Sequence, residues 1–267
     1  MAVKLNMEYQ NIIFEVKEGI GHLIVNRPEV RNALNRAARV EMADVLARVK
    51  ADPEIRVLVL SGAGDKAFMA GSDLKELAQY SPLDMENFMD TLAQGFYSQF
   101  ERLDRPVIAM IDGLCLGGGL EFALACDLRY ASDRSLLGLP EIRLGIMPAG
   151  GGTQRLSRLI GVAKTKELVF TGEFIKADEA LGLGIVNGVF PAEELEEQVM
   201  AVAKKIAAKS SLALKWAKKA INASQETGLR AGLDYEAMVM CLLFTSEDKQ
   251  EGIKAMFEKR EPKFQGK

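Results

Sequence analysis

The chain has 267 residues, 48% of them hydrophobic, which is enough for one large domain or two modest ones with a substantial core. Its 34 basic and 37 acidic side chains are mixed along the sequence and give a net charge of −3, a balance that argues against a basic surface for nucleic acid or anionic lipid, so we expect no nucleic-acid partner. A single histidine excludes sites that need several histidine ligands, and three cysteines without a CxxC spacing indicate reduced core thiols rather than disulfides or a thiolate metal site.

No apolar run approaches the length of a membrane span, and residues 1–8 contain neither an apolar signal core nor an Arg/Ser-rich leader. We therefore expect a cytoplasmic protein that has no membrane partner. The histidine, His22, lies in an apolar run typical of a strand, where we expect it to face solvent or to be satisfied locally, without a catalytic role. Acid–base chemistry then falls to Asp, Glu, Lys, Tyr or bound water.

The first elements follow a β-β-α-β order. Residues 11–16 and 20–25 are strand-forming runs separated by Lys17-Glu18-Gly19, a pattern that predicts a hairpin. Asn35 is an N-cap candidate for a helix that the apolar spacing carries to about Lys50. Residues 55–62 then predict a buried strand that enters a glycine-bearing loop.

The loop at 62–71 leads to two candidate helix caps, Ser72 and Asp73, at the start of a short helix. Backbone N–H groups are therefore expected to lie unpaired beside glycine at this position. A long amphipathic helix is predicted over about 83–103, before Arg105-Pro106, and residues 107–111 predict the next buried strand.

The stretch 112–127 organises the rest of the chain. It contains three consecutive glycines, Gly117 to Gly119, between the strand and a helix-forming run. Such a junction exposes unpaired N–H groups at the positive end of a helix, and glycines let another molecule approach the backbone. The junction is therefore predicted to hold a negative oxygen. Glu121 adds a carboxylate just inside an otherwise apolar first turn.

The strand–glycine–helix pattern recurs at about 61–73, 113–121 and 144–154, which suggests successive β-β-α turns. Residues 128–131 and 135–138 are short strand candidates between the last two. After residue 190 the sequence predicts only amphipathic helices, at about 193–208, 212–225, 229–245 and 249–258. We place an α/β core at 1–190 and a helical region at 191–267.

A dinucleotide-binding fingerprint is the first alternative for the glycine turns, and their spacing excludes it. The third glycine of G-x-G-x-x-G is replaced by Phe122 in one turn and by Arg155 in the other, and neither turn is followed by a Walker lysine. Glycines that serve only tight helix packing remain an alternative for any single turn. The combination of the turn with two glutamates in apolar surroundings favours a functional site.

The two glutamates are Glu121 and Glu141, whose sequence neighbours are mostly apolar. Burial raises a carboxyl pKa, and two carboxyls that face each other raise one of them further, which yields an acid and a base from one side-chain type. Structural ion pairs are the alternative: Glu141 with Arg143 or Arg155, and Glu121 with Arg129. A paired carboxylate site beside an oxyanion hole is therefore a hypothesis at this point.

The sequence resembles the crotonase (enoyl-CoA hydratase/isomerase) superfamily at these same residues. The likeness lies in segments 70–75, 112–121, 140–145 and 151–156, in this order and spacing, and extends to 26–35 and to the C-terminal residues 247–260. It covers nearly the whole chain. The short-chain enoyl-CoA hydratase branch is most similar, because both glutamates are present.

The resemblance implies that the backbone N–H groups of Ser72 and Gly118 form an oxyanion hole for the thioester oxygen of an acyl-CoA substrate. It also implies that Glu121 deprotonates the attacking water and that Glu141 delivers a proton to Cα. No metal or redox cofactor is implied, since coenzyme A is part of the substrate. Ser72 stands where the family more often has alanine, and Ala149 where better-known hydratases have glycine.

For coenzyme A, the resemblance points to two segments and one lysine. The segments contain Arg31, Ala33 and Leu34, and Ser72, Asp73, Leu74 and Lys75. Lys259 is implied to reach a phosphate from a neighbouring subunit, although an ordinary solvated helix end is the stronger explanation of this lysine. The implied fold is α/β, a spiral of β-β-α units whose C-terminal helices form trimers, which pair as a homo-hexamer.

Three hypotheses follow. The first is an enzyme that adds water reversibly to a 2-enoyl-CoA to give a 3-hydroxyacyl-CoA. The second is an enoyl-CoA isomerase or another acyl-CoA enzyme on the same scaffold, since moving a double bond needs only one carboxylate. The third is a non-catalytic acyl-CoA-binding or RNA-associating scaffold, which the balanced charge and the two carboxylates disfavour.

Overall fold

The computed structural model describes residues 9–267, which contain ten strands and twelve α-helices. The strands are β1 Ile12–Lys17, β2 Ile20–Val25, β3 Val57–Gly62, β4 Ala67–Met69, β5 Val107–Ile111, β6 Leu114–Leu116, β7 Leu128–Ser132, β8 Leu136–Gly138, β9 Ile175–Lys176 and β10 Gly188–Phe190. The helices are α1 Arg36–Ala51, α2 Leu74–Leu77, α3 Pro82–Phe88, α4 Gln94–Glu101, α5 Gly118–Leu124, α6 Gly152–Ile160, α7 Val162–Thr171, α8 Ala177–Gly182, α9 Leu195–Ala207, α10 Ser211–Ala223, α11 Leu229–Phe244 and α12 Glu247–Phe257.

The strands form two sheets. Six of them pair in the order β1-β2-β3-β5-β7-β10, parallel except for the β1–β2 hairpin, and four pair in the order β4-β6-β8-β9. In β3–β4, β5–β6 and β7–β8, the first strand joins the large sheet and the second joins the small one. This alternation produces the spiral of β-β-α turns, so the predicted fold class is confirmed.

Apolar side chains cover both faces of the large sheet. On one face, Leu58 and Leu60 of β3 pack in a large buried cluster with Met42 and Leu46 of α1. On the other face, Val57, Val59 and Ile108 pack with residues of α9. Strands buried on both faces need continuous apolar runs, which is why β3 and β5 are readable in the sequence.

Several predicted elements are confirmed in detail. The hairpin forms with Ile12 opposite Val25, and the Asn35 side chain accepts a hydrogen bond from the Ala38 N–H at the start of α1. His22 is satisfied locally, since its Nε2 lies 2.8 Å from Ser61 Oγ, and burial lowers its pKa.

The long helix predicted over about 83–103 is present at 82–101, but it is not α-helical throughout. A π-helical segment, Met89–Ala93, separates α3 from α4. The Asp90 carbonyl lies directly against the Cα of Gly95, where a side chain would collide with it, and the Leu92 carbonyl accepts a hydrogen bond from Arg39 Nη1 at 2.6 Å. The amphipathic periodicity runs through this segment without revealing the wider turn.

The four C-terminal helices fall where they are predicted. The junction to the core includes Lys218 of α10, whose Nζ lies 2.7 Å from Asp127 and donates to the Phe100 carbonyl. The α11 helix buries only Val239. One expectation fails here: Cys115 and Cys126 are buried thiols, but Cys241 on α11 is exposed rather than in the core. The division at residue 190 stays a prediction.

Candidate active site

Four segments meet where the two sheets end. They are the loop before α2, the start of α5, the 3-10 helix Pro140–Leu144 and the start of α6. Each follows a strand or a glycine turn, as the recurring sequence pattern predicts. Their proximity depends on the small sheet, in which β4, β6 and β8 lie side by side.

Two backbone N–H groups converge at this point. The Cβ position of Gly118 lies 3.5 Å from Ser72 N, and the Cβ position of Gly71 lies 3.3 Å from Gly118 N. Neither the Ser72 N–H nor the Gly118 N–H donates to another backbone group among residues 9–267. Because Gly71 and Gly118 lack side chains, a ligand oxygen can reach both donors.

The neighbouring glycines have different tasks. Gly117 has φ of 55°, a left-handed conformation that favours glycine, and its Cβ position lies 3.0 Å from Glu141 Oε1. Gly119 packs against the Met69 carbonyl so closely that a side chain would collide with it. The packing explanation therefore holds for Gly119, whereas Gly117 and Gly118 keep the backbone open toward the site.

Glu121 is buried, with 4% of its surface exposed. Its Oε1 accepts a hydrogen bond from the Gly152 N–H at 2.8 Å, and its Oε2 lies 2.6 Å from the Cβ position of Gly150. Burial raises the pKa of Glu121, while the N–H groups of Gly152 and Gly150 oppose that rise. The turn is held by Arg155, which donates to the Gly150 carbonyl at 3.2 Å.

Glu141 faces the same space from the 3-10 helix. Its Oε2 is buried and has no hydrogen-bond partner among the described residues. Burial raises the pKa of Glu141 to about 7, and the negative charge of Glu121 contributes to the rise. Near neutral pH this carboxyl is therefore close to half protonated and can give or take a proton.

The alternative ion pairs do not form among residues 9–267. Arg155 pairs with Glu101 at 2.8 Å. Arg129 donates to the backbone carbonyls of Cys126 and Ile185, and the Arg143 guanidinium lies over the ring of Phe174. Neither glutamate therefore forms an ion pair among the described residues, and Arg155 and Arg39 act on the charge of Glu121 only at longer range.

A carbonyl bound by the Ser72 and Gly118 N–H groups would lie near two carboxyl groups. Glu121 accepts a hydrogen bond from the backbone, whereas Glu141 Oε2 has no hydrogen-bond partner among the described residues. That arrangement can stabilise an oxyanion and move two protons. Within residues 9–267, no group of three or more His, Cys, Asp or Glu side chains is arranged to hold a metal ion.

Comparison with known proteins identifies the family. A family model described as enoyl-CoA hydratase/isomerase matches residues 15–267. The chain belongs to this family. The crotonase resemblance predicted from the motifs is therefore confirmed, and the chain is an enzyme of the enoyl-CoA hydratase type.

Similar proteins within the family are alike over nearly their whole length. The chain is 40% identical over 258 residues to a crotonyl-CoA hydratase of Syntrophomonas wolfei, covering 97% of this chain and 99% of that one. It is 39% identical over 254 residues to a short-chain-enoyl-CoA hydratase of Clostridium acetobutylicum, covering 95% and 97%. The crystal structure of an enoyl-CoA hydratase from Bacillus anthracis matches with a TM-score of 0.93 and 39% identity, covering 97% of this chain and 100% of that one.

The two segments that the crotonase resemblance assigns to coenzyme A lie side by side. Leu34 donates its N–H to the Gly71 carbonyl at 2.8 Å, and Asp73 donates to the Leu34 carbonyl at 3.0 Å. Ala70 likewise donates to the Arg31 carbonyl at 3.0 Å. Ala33 lies within the first segment, whereas Leu74 and Lys75 form the exposed start of α2.

Lys259 lies just after α12 with an exposed side chain, and its backbone N–H donates to the Met256 carbonyl. Its implied role toward a neighbouring subunit stays a prediction.

Sequence reasoning missed three residues of this site. Gly152 lies in a motif that the sequence singles out, but its bond to Glu121 depends on tertiary structure. Tyr97 is fully buried, and its ring stacks on that of Phe122. Arg39 is also fully buried. A signal for Arg39 exists, because it is spaced three, seven and ten residues before the buried Met42, Leu46 and Val49 and so lies on the apolar stripe of α1.

Proposed function

We propose that this family member hydrates 2-enoyl-CoA thioesters reversibly to 3-hydroxyacyl-CoA, with Ser72, Gly118, Glu121 and Glu141 as its catalytic groups. The observation that carries the proposal is the pair of glutamates without ion-pair partners beside two backbone N–H groups that donate to no other backbone group of residues 9–267. The names of the relatives, crotonyl-CoA hydratase and short-chain-enoyl-CoA hydratase, agree with it.

The Ser72 and Gly118 N–H groups bind the thioester oxygen. Donating to that oxygen draws electron density from the conjugated double bond, so Cβ becomes electrophilic and the enolate charge that develops is stabilised. One such donor is worth about 3–4 kcal/mol of transition-state stabilisation. Because these donors belong to the backbone, serine at position 72 is compatible with the hole.

Glu121 acts on the water. Its bond from the Gly152 N–H supports the ionised carboxylate and leaves Oε2 to accept a proton from a water molecule. The water oxygen forms a bond to Cβ, its proton passes to Glu121, and the π electrons move to Cα and the thioester oxygen. Ala149 directly precedes the Gly150–Gly152 turn, and its backbone carbonyl accepts a hydrogen bond from Gln94 at 2.7 Å.

Glu141 acts on the carbon. Its raised pKa keeps a proton available near neutral pH, and that proton passes to Cα as the enolate collapses. In the reverse direction the two carboxyls exchange roles. The sequence of steps requires no metal and no redox cofactor.

The acyl-CoA thioester is expected to bind along the paired segments 31–34 and 72–75. Assembly into trimers, and into a hexamer of two trimers, belongs to the same proposal. Apolar side chains on the C-terminal helices support it, since Leu229, Met238, Met256 and Phe257 are between 62% and 80% exposed in the single chain. Sedimentation of the full chain tests it. Location in the cytoplasm stays a prediction from the sequence.

The test compares Glu121→Gln and Glu141→Gln in the hydration of crotonyl-CoA, followed by the loss of its conjugated absorbance. Both variants are expected to lose activity by about a hundredfold or more, while the exposed Glu193→Gln variant keeps wild-type rates. If Glu121→Gln hydrates normally, its role with water is wrong. If the wild type converts 3-enoyl to 2-enoyl esters and never adds water, the enzyme is an isomerase.

A further inference from the structure

Arg39 is a buried cation that forms no ion pair with any of the described residues. None of its surface is exposed, and no Asp or Glu side chain among residues 9–267 lies within ion-pair distance of it. Its guanidinium lies 5.1 Å from the ring centre of Phe88, 5.8 Å from that of Phe96 and 5.4 Å from that of Tyr97. Arginine stays protonated in proteins, and an unpaired charge in such surroundings is costly.

The guanidinium reaches toward the oxyanion hole. Nη2 donates to Ser72 Oγ at 2.8 Å, and Nη1 donates to the Tyr97 hydroxyl at 3.2 Å and to the Leu92 carbonyl at 2.6 Å. Nε is buried and has no partner among the described residues. Leu92 belongs to the π-helical segment, a feature that is frequent at functional sites.

The two hydroxyl groups lie beside the proposed hole. The Tyr97 oxygen lies 3.0 Å, and Ser72 Oγ 3.5 Å, from the Cβ position of Gly118. Both oxygens accept a bond from Arg39, so each hydroxyl keeps its own proton to donate, and neither donates to another group among residues 9–267. A set of donors polarised by a cation therefore surrounds the place where the thioester oxygen is expected.

We infer that Arg39 is a positioning residue that extends the oxyanion hole, orienting and polarising Ser72 and supplying the positive charge that balances the enolate oxygen. The inference deepens the proposed function and rests on it for the identity of that oxygen. The charge is fixed before the reaction and lies in a site of low polarity, so its effect on a developing anion is larger than in water. Glu121 acts on Arg39 only through a longer-range charge interaction, and the bound enolate brings a negative charge to the hydroxyl groups that Arg39 holds.

A structural role is the competing explanation, since Arg39 also ties α1 to the segment between α3 and α4. The two roles differ in what they predict for a bound enolate. Acetoacetyl-CoA is a suitable probe because its β-ketoacyl thioester ionises to an enolate with its own ultraviolet absorbance, and its ionisation requires no turnover. The pH at which the bound probe ionises reports directly on how well the site stabilises the anion.

The experiment compares Arg39→Met, Arg39→Lys, Ser72→Ala and the Arg39→Met/Ser72→Ala double variant. Lys50→Met, an exposed position on the same helix, is the control. In Arg39→Met we expect kcat for crotonyl-CoA to fall about ten- to a hundredfold with KM nearly unchanged. We also expect the bound probe to ionise about one to two pH units higher than in the wild type. Arg39→Lys is expected to keep most of the wild-type kcat and to ionise the bound probe at nearly the wild-type pH. Arg39→Met is expected to change kcat and the ionisation of the probe less in the Ser72→Ala background than in the wild type.

An unchanged ionisation of the bound probe in folded Arg39→Met overturns the inference, and so does full additivity with Ser72→Ala. Where Arg39→Met does not fold, Arg39→Lys decides: it must ionise the probe nearly as the wild type does. A wild type that hydrates no enoyl-CoA but whose bound probe responds to Arg39 would reject the proposed function and keep this inference. Normal hydration with no response of the probe would reject this inference alone.

Discussion

Replacing Glu141 with glutamine is expected to stabilise the folded protein at alkaline pH and to lower its activity about a hundredfold or more. The same carboxyl underlies both effects, because it destabilises the fold when it is ionised and donates a proton to Cα when it is neutral. Burial and the charge of Glu121 raise the pKa of Glu141 from its ordinary value of 4.5 to about 7. This difference corresponds to a cost of about 3 kcal/mol for the ionised form in the folded state.

The sign of the pH dependence follows from that difference. Between about pH 4.5 and pH 7 the unfolded chain has lost this proton while the folded chain keeps it, so the free energy of unfolding falls as the pH rises. The cost is complete above about pH 7 and absent well below pH 4.5. Glutamine at position 141 is uncharged at low and at high pH, so the variant lacks the free-energy cost of a buried carboxylate.

The assay is urea unfolding at fixed protein concentration, at about pH 5 and about pH 8. The free energy of unfolding of Glu141→Gln relative to wild type should be larger at the higher pH by about 2–3 kcal/mol. Any cost of burying the amide is the same at both values and cancels. Glu193→Gln, on the surface, should show no such difference. An equal change at both pH values for Glu141→Gln would refute the reasoning.

Three further outcomes are expected. In pH profiles, kcat/KM for hydration falls above about pH 7 because Glu141 must be protonated, whereas dehydration of the 3-hydroxyacyl-CoA falls below it. Gly118→Ala places a methyl group 3.0 Å from the Tyr97 hydroxyl and 3.5 Å from Ser72 N, and steady-state assays should show kcat reduced about a hundred- to thousandfold while the overall fold is kept. Lys218→Met leaves the Asp127 carboxylate without its 2.7 Å partner, and urea unfolding should show a loss of about 3 kcal/mol with kcat retained.

Local features of the fold could be predicted because single short segments encode them. The hairpin, the Asn35 cap and the buried strands each follow from residue types within a few positions. Of the small sheet only β8 was predicted, as the strand candidate 135–138, because β4 and β6 have three residues each and show no useful periodicity. The π-helical segment was not predicted for a different reason, since one wider turn hardly changes the amphipathic pattern of a helix.

The candidate site was predicted in part. Glu121 and Glu141 stood out because they are carboxylates in apolar segments, and the glycines stood out by their position before a helix. Their meeting depends on β6 and β8 pairing in the small sheet, which no local pattern reveals. Arg39 was missed because one cation on the apolar stripe of α1 looks like an interruption of the hydrophobic pattern. Its position beside Ser72 depends on tertiary structure, which the local sequence does not reveal.

The most direct test of the hydratase account is the product formed from crotonyl-CoA by the wild-type protein in isotopically labelled water, analysed by mass spectrometry. The account predicts 3-hydroxybutyryl-CoA with the label in its hydroxyl oxygen, formed by wild type and lost in Glu121→Gln. Recovery of unlabelled esters that differ only in the position of the double bond would contradict it.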